Sequence, residues 1–174
     1  MKKFLLSILS IFAVLSVVNA QGLDPQRIAN LQKLIDKAPK VCEIADVDEY
    51  AGAAGAAAVL AIANSKQLED FNAQIAAGNP PALADVETLA KTIATEKEAI
   101  QKASELAPKA AQAIKDEGEK AKSGGMKEKM AAGKRLKAAD KVISYANDAT
   151  AMVTAESVAQ GLAVSQMIAT LKGS

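Results

Sequence analysis

The sequence predicts an all-α fold: an elongated up-and-down helical bundle following an N-terminal signal peptide. Three observations carry that expectation. Roughly one residue in five is Ala, the residue with the best intrinsic helix propensity. Aromatic residues make up only 3% and Trp is absent. Val, Ile and Thr never gather in alternating runs after residue 23, so the usual signature of strands is missing. Apolar residues recur instead at spacings of three and four, in four stretches separated by Pro and Gly breaks.

The chain opens on Met1-Lys2-Lys3, followed by an apolar run from Phe4 to Val18 and by Val18-Asn19-Ala20. A basic start, an apolar core and small residues before a cut are the parts of a secretory signal peptide. The apolar run is short for a bilayer-spanning helix. The expectation is therefore a signal peptide over 1–20, cleaved near Ala20, with 21–174 as one α-helical domain. No Cys stands at the cleavage site, so no lipoprotein anchor is expected. The predicted location is the periplasm or the medium of a bacterium.

The first helix is expected to start at Asp24-Pro25, with Asp as N-cap and Pro at the first helical position. Ile28, Leu31, Ile35 and Ala38 line one face, and Pro39 ends or bends the helix. The second helix is expected from about Val41 to about Ala77, with a stripe of Ile44, Val47, Ala51, Ala54, Ala58, Ala61, Leu68 and Ile75. Gly78-Asn79-Pro80-Pro81 is the clearest turn. Gly stops one helix there, and Asn79 is expected to cap the next with Pro80 as its first residue.

The third helix covers about Pro81 to Ala121. Its inner face is marked by Val86, Leu89, Ile93, Ile100, Ala103, Ala107, Ala110 and Ile114. Pro108 falls inside this pattern and is expected to kink or interrupt the helix. After Ser123-Gly124-Gly125 the fourth helix is expected from about Met126 to Leu171. Its stripe runs through Ala132, Leu136, Ala139, Ile143, Ala146, Ala149 and Val153, then widens to Val158, Leu162, Val164, Met167, Ile168 and Leu171. One short and three long helices with short connections favour antiparallel neighbours. Spacings near 3.5 add the expectation of coiled-coil-like packing.

The chain contains no His. That removes the commonest general acid/base and metal ligand, and with it the Ser-His-Asp and Cys-His arrangements. One Cys, Cys42, excludes an internal disulfide and a thiolate zinc site within one chain. Burial as a small hydrophobe is its expected fate. The acidic cluster Glu43, Asp46, Asp48 and Glu49 lacks the spacing of a calcium loop and reads as helix-start chemistry. Gly124-Gly125 with Gly133-Lys134 lacks the spacing, preceding strand and Ser/Thr of a phosphate loop. No catalytic residue, metal ligand or cofactor is expected, and low aromatic content argues against the usual small-molecule pocket.

Formal net charge is +1, but basic residues concentrate between Lys109 and Lys141. Lys127, Lys129, Lys134, Arg135, Lys137 and Lys141 form a candidate patch for an anionic surface. No aromatics accompany it, which argues against nucleic acid. The run Ala51 to Ala63 is apolar on all sides, which normally means a buried helix. Within it Gly52, Gly55, Ala57 and Leu60 form a candidate segment for close helix contact or for membrane insertion. The functional expectation is an exported, non-enzymatic interaction or structural module, with a protein partner or self-association. A pore-forming-like bundle inserting residues 51–63 is the alternative, and an enzyme using carboxylates and lysines ranks last.

Overall fold

The computed structural model describes residues 24–173. The expected signal peptide over 1–20 lies outside them. All regular structure among the described residues is helical: α1 Pro25–Asp36, α2 Ala45–Ala76, α3 Leu83–Ser123 and α4 Met126–Gly173.

Each helix end has a local cause. Asp24 caps α1, its Oδ1 accepting from Gln26 N at 2.9 Å, with Pro25 in the first turn. α1 stops at Asp36, ahead of Pro39, with Lys37 N–H turned back to Leu34 O at 3.2 Å. Glu43 takes a left-handed φ of 64° in the connection to α2. The Asp48 carboxylate holds that turn, accepting from Cys42 N at 2.8 Å and Glu43 N at 3.0 Å. Four residues of the expected second helix, Val41 to Ile44, therefore belong to the connection.

α2 ends in a Schellman motif. Gly78 has φ of 78°, Asn79 N donates to Gln74 O at 3.0 Å and Gly78 N to Ile75 O at 3.0 Å. Glycine takes this conformation without a Cβ clash. The expected Asn79 cap does not form. α3 starts instead at Leu83 behind Ala82, which makes no side-chain cap bond. A proline forces the residue before it toward extended backbone, so Pro81 keeps Pro80 out of a helix, and Pro81 itself is buried. α3 continues through Pro108 without interruption. Pro108 and Ser104 are both exposed, so the Ser104 carbonyl that has lost its donor is open to solvent.

α2 and α4 run parallel, with α1 and α3 antiparallel to both. Tyr50 Oη donates to Asn147 Oδ1 at 2.8 Å near one end, and Ser65 Oγ to Glu156 Oε1 at 2.6 Å further along. Asn64 Nδ2 meets Glu96 Oε2 at 2.7 Å, fixing α3 in the opposite direction. The short α1 lies in the groove between α2 and α4, where Leu31 packs with Ala57, Ala58, Ala61 and Val153.

The apolar interior forms three clusters along the axis. The lower one contains Cys42, Val47, Tyr50, Leu106 and Val142. The middle one is built round Leu31 and the alanines of α2. The upper one contains Leu68, Phe71, Val86, Leu89, Val164 and Met167. Alanine buries little area per residue, so the bundle relies on close helix approach and long helices. α4 alone has 48 residues, about 72 Å at 1.5 Å per residue.

Candidate functional site

Two places combine unusual chemistry with a defined position in this frame: a polar layer inside the bundle and a cationic tip at one end.

The polar layer lies between the middle and upper clusters and draws on all four helices. α4 supplies Glu156, Ser157 and Gln160, α2 supplies Asn64 and Ser65, α3 supplies Thr92 and Glu96, and α1 supplies Arg27. Glu96 and Gln160 are fully buried and Glu156 is 1% exposed. Arg27 Nε bonds Glu156 Oε2 at 3.0 Å. Ser65 Oγ donates to Glu156 and accepts from Gln160 Nε2 at 2.8 Å. Gln160 Nε2 also reaches Ala61 O at 2.8 Å. Thr92 Oγ1 donates to Asn64 Oδ1 at 2.8 Å, which orients Asn64 toward Glu96.

Burial is the main reason the Glu96 carboxyl is pushed up to about 7. The nearby Glu156 charge pushes the same way, while the Asn64 hydrogen bond, Lys97 and the proximity of Ser157 oppose it. Ser157 approaches Glu96, yet its hydroxyl is not in bonding geometry with Oε1. Among the described residues no group of three or more acidic, Cys or His side chains is arranged to hold a metal ion.

The tip arises because α3 and α4 outrun α2. Cys42, Ile44 and Val47 share a cluster with Ala110 and Ala139, against which Ala113, Ile114 and Ala138 pack, and none of residues 115–137 belongs to an apolar cluster among the described residues. The nine residues of α3 beyond Ile114 extend about 13 Å. Between 115 and 137 only Glu117 and Ala132 are buried. Glu117 is clasped by Arg135, whose Nε donates to Oε1 at 2.6 Å, and by Lys120 at 3.5 Å. Glu128 Oε2 accepts from Gly125 N at 2.8 Å and closes the α3–α4 turn. Met126 and Met130, one turn apart, are 79% and 63% exposed. Beside them a depression of about 510 Å³ is lined by Lys120, Ser123, Gly124, Lys127, Glu128, Ala131 and Arg135.

The sequence-predicted residues distribute as follows. Lys127, Lys129, Lys134, Lys137 and Lys141 are exposed. Lys127 and Arg135 meet at the depression. Arg135 is committed to Glu117, and Lys141 lies further down α4 beside Tyr145 and Asp148. In the apolar run, Ala57 is buried, Gly55 and Leu60 are half-buried, and Gly52 is exposed. No described helix is long and apolar enough to cross a membrane. The Tyr145 hydroxyl lies 2.8 Å from where a Cβ on Gly55 would be, so this glycine makes room between α2 and α4. Cys42 is 2% exposed, and burial pushes its thiol up to about 11, far from a reactive thiolate.

The sequence reading passed over the polar layer, although a signal for it was present. Leu89, Ile93, Glu96, Ile100 and Ala103 are spaced four, three, four and three, so Glu96 falls on the inward stripe. Val153, Glu156, Gln160, Val164 and Met167 do the same on α4. Following apolar letters alone led instead to Leu162, which is 44% exposed.

Compared with known proteins, the chain matches no family model, no curated protein and no solved structure.

Proposed function

We propose that this protein is an exported, non-enzymatic interaction module that engages an acidic protein partner through the tip of α3 and α4. In this reading the signal peptide directs export, and coiled-coil-like packing of the long helices makes the bundle a stiff holder for the tip. The charge distribution of that tip carries the proposal. Eight basic and four acidic residues between 115 and 137 give it a net +4. Eleven basic and sixteen acidic residues elsewhere among the described residues leave the body at −5.

Such a separation orients the molecule toward acidic surfaces and speeds encounter. Met126 and Met130 add an unbranched, adaptable apolar contact of the kind used at binding surfaces. Met126 and Met130 are the only exposed large apolar side chains on the tip, and Glu119 and Glu128 are interspersed with the lysines, which favours a protein surface over insertion in lipid. The carboxylates Glu96 and Glu156 are sealed from solvent, where no dissolved substrate reaches them, and this supports the non-enzymatic assignment.

The test titrates the labelled protein with polyglutamate and, separately, with anionic phospholipid vesicles. Binding to polyglutamate that weakens at least tenfold in K127E/K129E and as salt rises fits the proposal. A further loss in M126S/M130S, which leaves charge unchanged, identifies the methionines as part of the contact. Binding to vesicles alone, or polyglutamate binding indifferent to both variants, overturns it.

A further inference from the structure

Three polar atoms of the buried layer have no hydrogen-bond partner: Glu96 Oε1, Ser157 Oγ and Gln160 Oε1. Their residues are 0%, 2% and 0% exposed, where an unsatisfied polar atom is costly and rare. Donors and acceptors do not balance with Glu96 ionised. Oε1 of Glu96 and Oε1 of Gln160 both accept, and both hydrogens of Gln160 Nε2 are engaged with Ala61 O and Ser65 Oγ. Ser157 supplies the only hydrogen among the three atoms, and its hydroxyl is not in bonding geometry with either acceptor.

A proton on Glu96 Oε1 turns one of the two unserved acceptors into a donor and removes the charge of a fully buried carboxylate. The proton neutralises a carboxyl that is held by the neutral Asn64 amide and lies beside the Glu156 charge. Glu96 Oε2 keeps its bond from Asn64 at 2.7 Å. We propose that the polar layer is a proton-binding site, in which one proton taken from solvent onto Glu96 neutralises the buried α3 carboxyl beside Glu156 and ties the stability of the bundle to pH.

The charges round the site agree with uptake of a proton rather than of a larger cation. From α1 comes Arg27, already bound to Glu156. From α2 come only the neutral Asn64 and Ser65. α3 brings Glu96 itself and Lys97, whose amine lies at the rim, 3.4 Å from where a Cβ on Gly161 would be. α4 brings Glu156, whose charge disfavours a second carboxylate beside it. Burial sets the direction and holds the Glu96 carboxyl near 7, against 4.5 for a free glutamate.

The sign of the linkage follows. The folded state binds the proton more tightly than the unfolded chain. The added stability is fully present below about pH 4.5 and is lost as pH rises through about 7. One proton of linkage lowers the folding constant by up to about tenfold per pH unit between those values.

The experiment is urea unfolding of the purified wild-type protein and of E96Q from pH 5 to 8.5. It is paired with a ¹³C-carboxyl NMR titration of the wild-type protein. The amide of E96Q donates where the bound proton would, so this variant is expected to keep its stability flat across the range while wild type weakens with rising pH. One glutamate resonance should titrate near 7 and disappear in E96Q. The NMR arm uses wild type and so reads even if E96Q folds poorly. Every glutamate titrating between 4 and 5, as when a buried water completes the layer around an ionised Glu96, overturns the proposal. Identical pH profiles for wild type and E96Q do so as well.

Discussion

At the scale of single residues, two glycines three apart on α2 have opposite meanings. Gly52 is exposed and nothing lies within 4 Å of a Cβ built on it. There glycine costs backbone entropy and returns no packing. G52A is expected to stabilise the protein by about 0.5–1 kcal/mol. Gly55 faces the Tyr145 hydroxyl at 2.8 Å, so an added methyl must displace the ring or part the helices. G55A is expected to destabilise by about 1–3 kcal/mol. Chemical denaturation of both variants checks the pair, and a similar stabilisation from each would refute the close-approach account of Gly55. The sequence places both glycines on one apolar helix. It does not distinguish them, because the difference lies in a tyrosine 90 residues away on α4.

At the scale of helices, α1 is a strap rather than a full member of the bundle. Its twelve residues fill part of the groove between α2 and α4, and its deepest attachments are Leu31 and the Arg27–Glu156 pair. Glu156 is 1% exposed and Arg27 23% at their side chains. Removing only the cation strands a buried carboxylate, which costs about 3–5 kcal/mol. R27M should lose that much stability by urea unfolding. R27M/E156Q should recover most of it, since the stranded charge is gone. A double variant as weak as R27M would mean that Arg27 acts through packing instead.

Helix existence and order were legible because spacing, the Asp24-Pro25 start and the Gly78 stop are local signals. The Asn79 cap misled because a second proline and the burial of Pro81 delayed α3. Pro108 does not interrupt α3, because its exposure leaves the Ser104 carbonyl open to solvent. The inner polar layer was obscured because its residues sit on inward positions with the wrong polarity, and periodicity was read from apolar letters.

At the scale of the whole molecule, the ends differ in what holds them. The upper end closes with Leu68, Phe71, Val86, Leu89 and Met167 drawn from three helices. The tip has two helices and one buried ion pair network at Glu117. Basic clustering there was visible in the sequence, but the projection was not, since it depends on α2 starting at Ala45 beside the middle of α3's lower half. Local opening free energies follow the density of buried contacts. The tip should therefore open without the body. Removing Glu117 takes away the partner of Arg135 and Lys120 and leaves five lysines and an arginine between 120 and 135 with less opposing charge. In E117A, amide exchange over residues 115–137 is expected to accelerate by roughly 10- to 100-fold, the equivalent of about 1.4–2.8 kcal/mol of lost local stability. Exchange over residues 86–110 should stay as in wild type, because those amides rest on the clusters above. Uniform acceleration along α3 would mean the tip and the body unfold as one unit. Confined acceleration would make the tip a separable, charge-held element, able to adjust to a partner while the bundle behind it stays fixed.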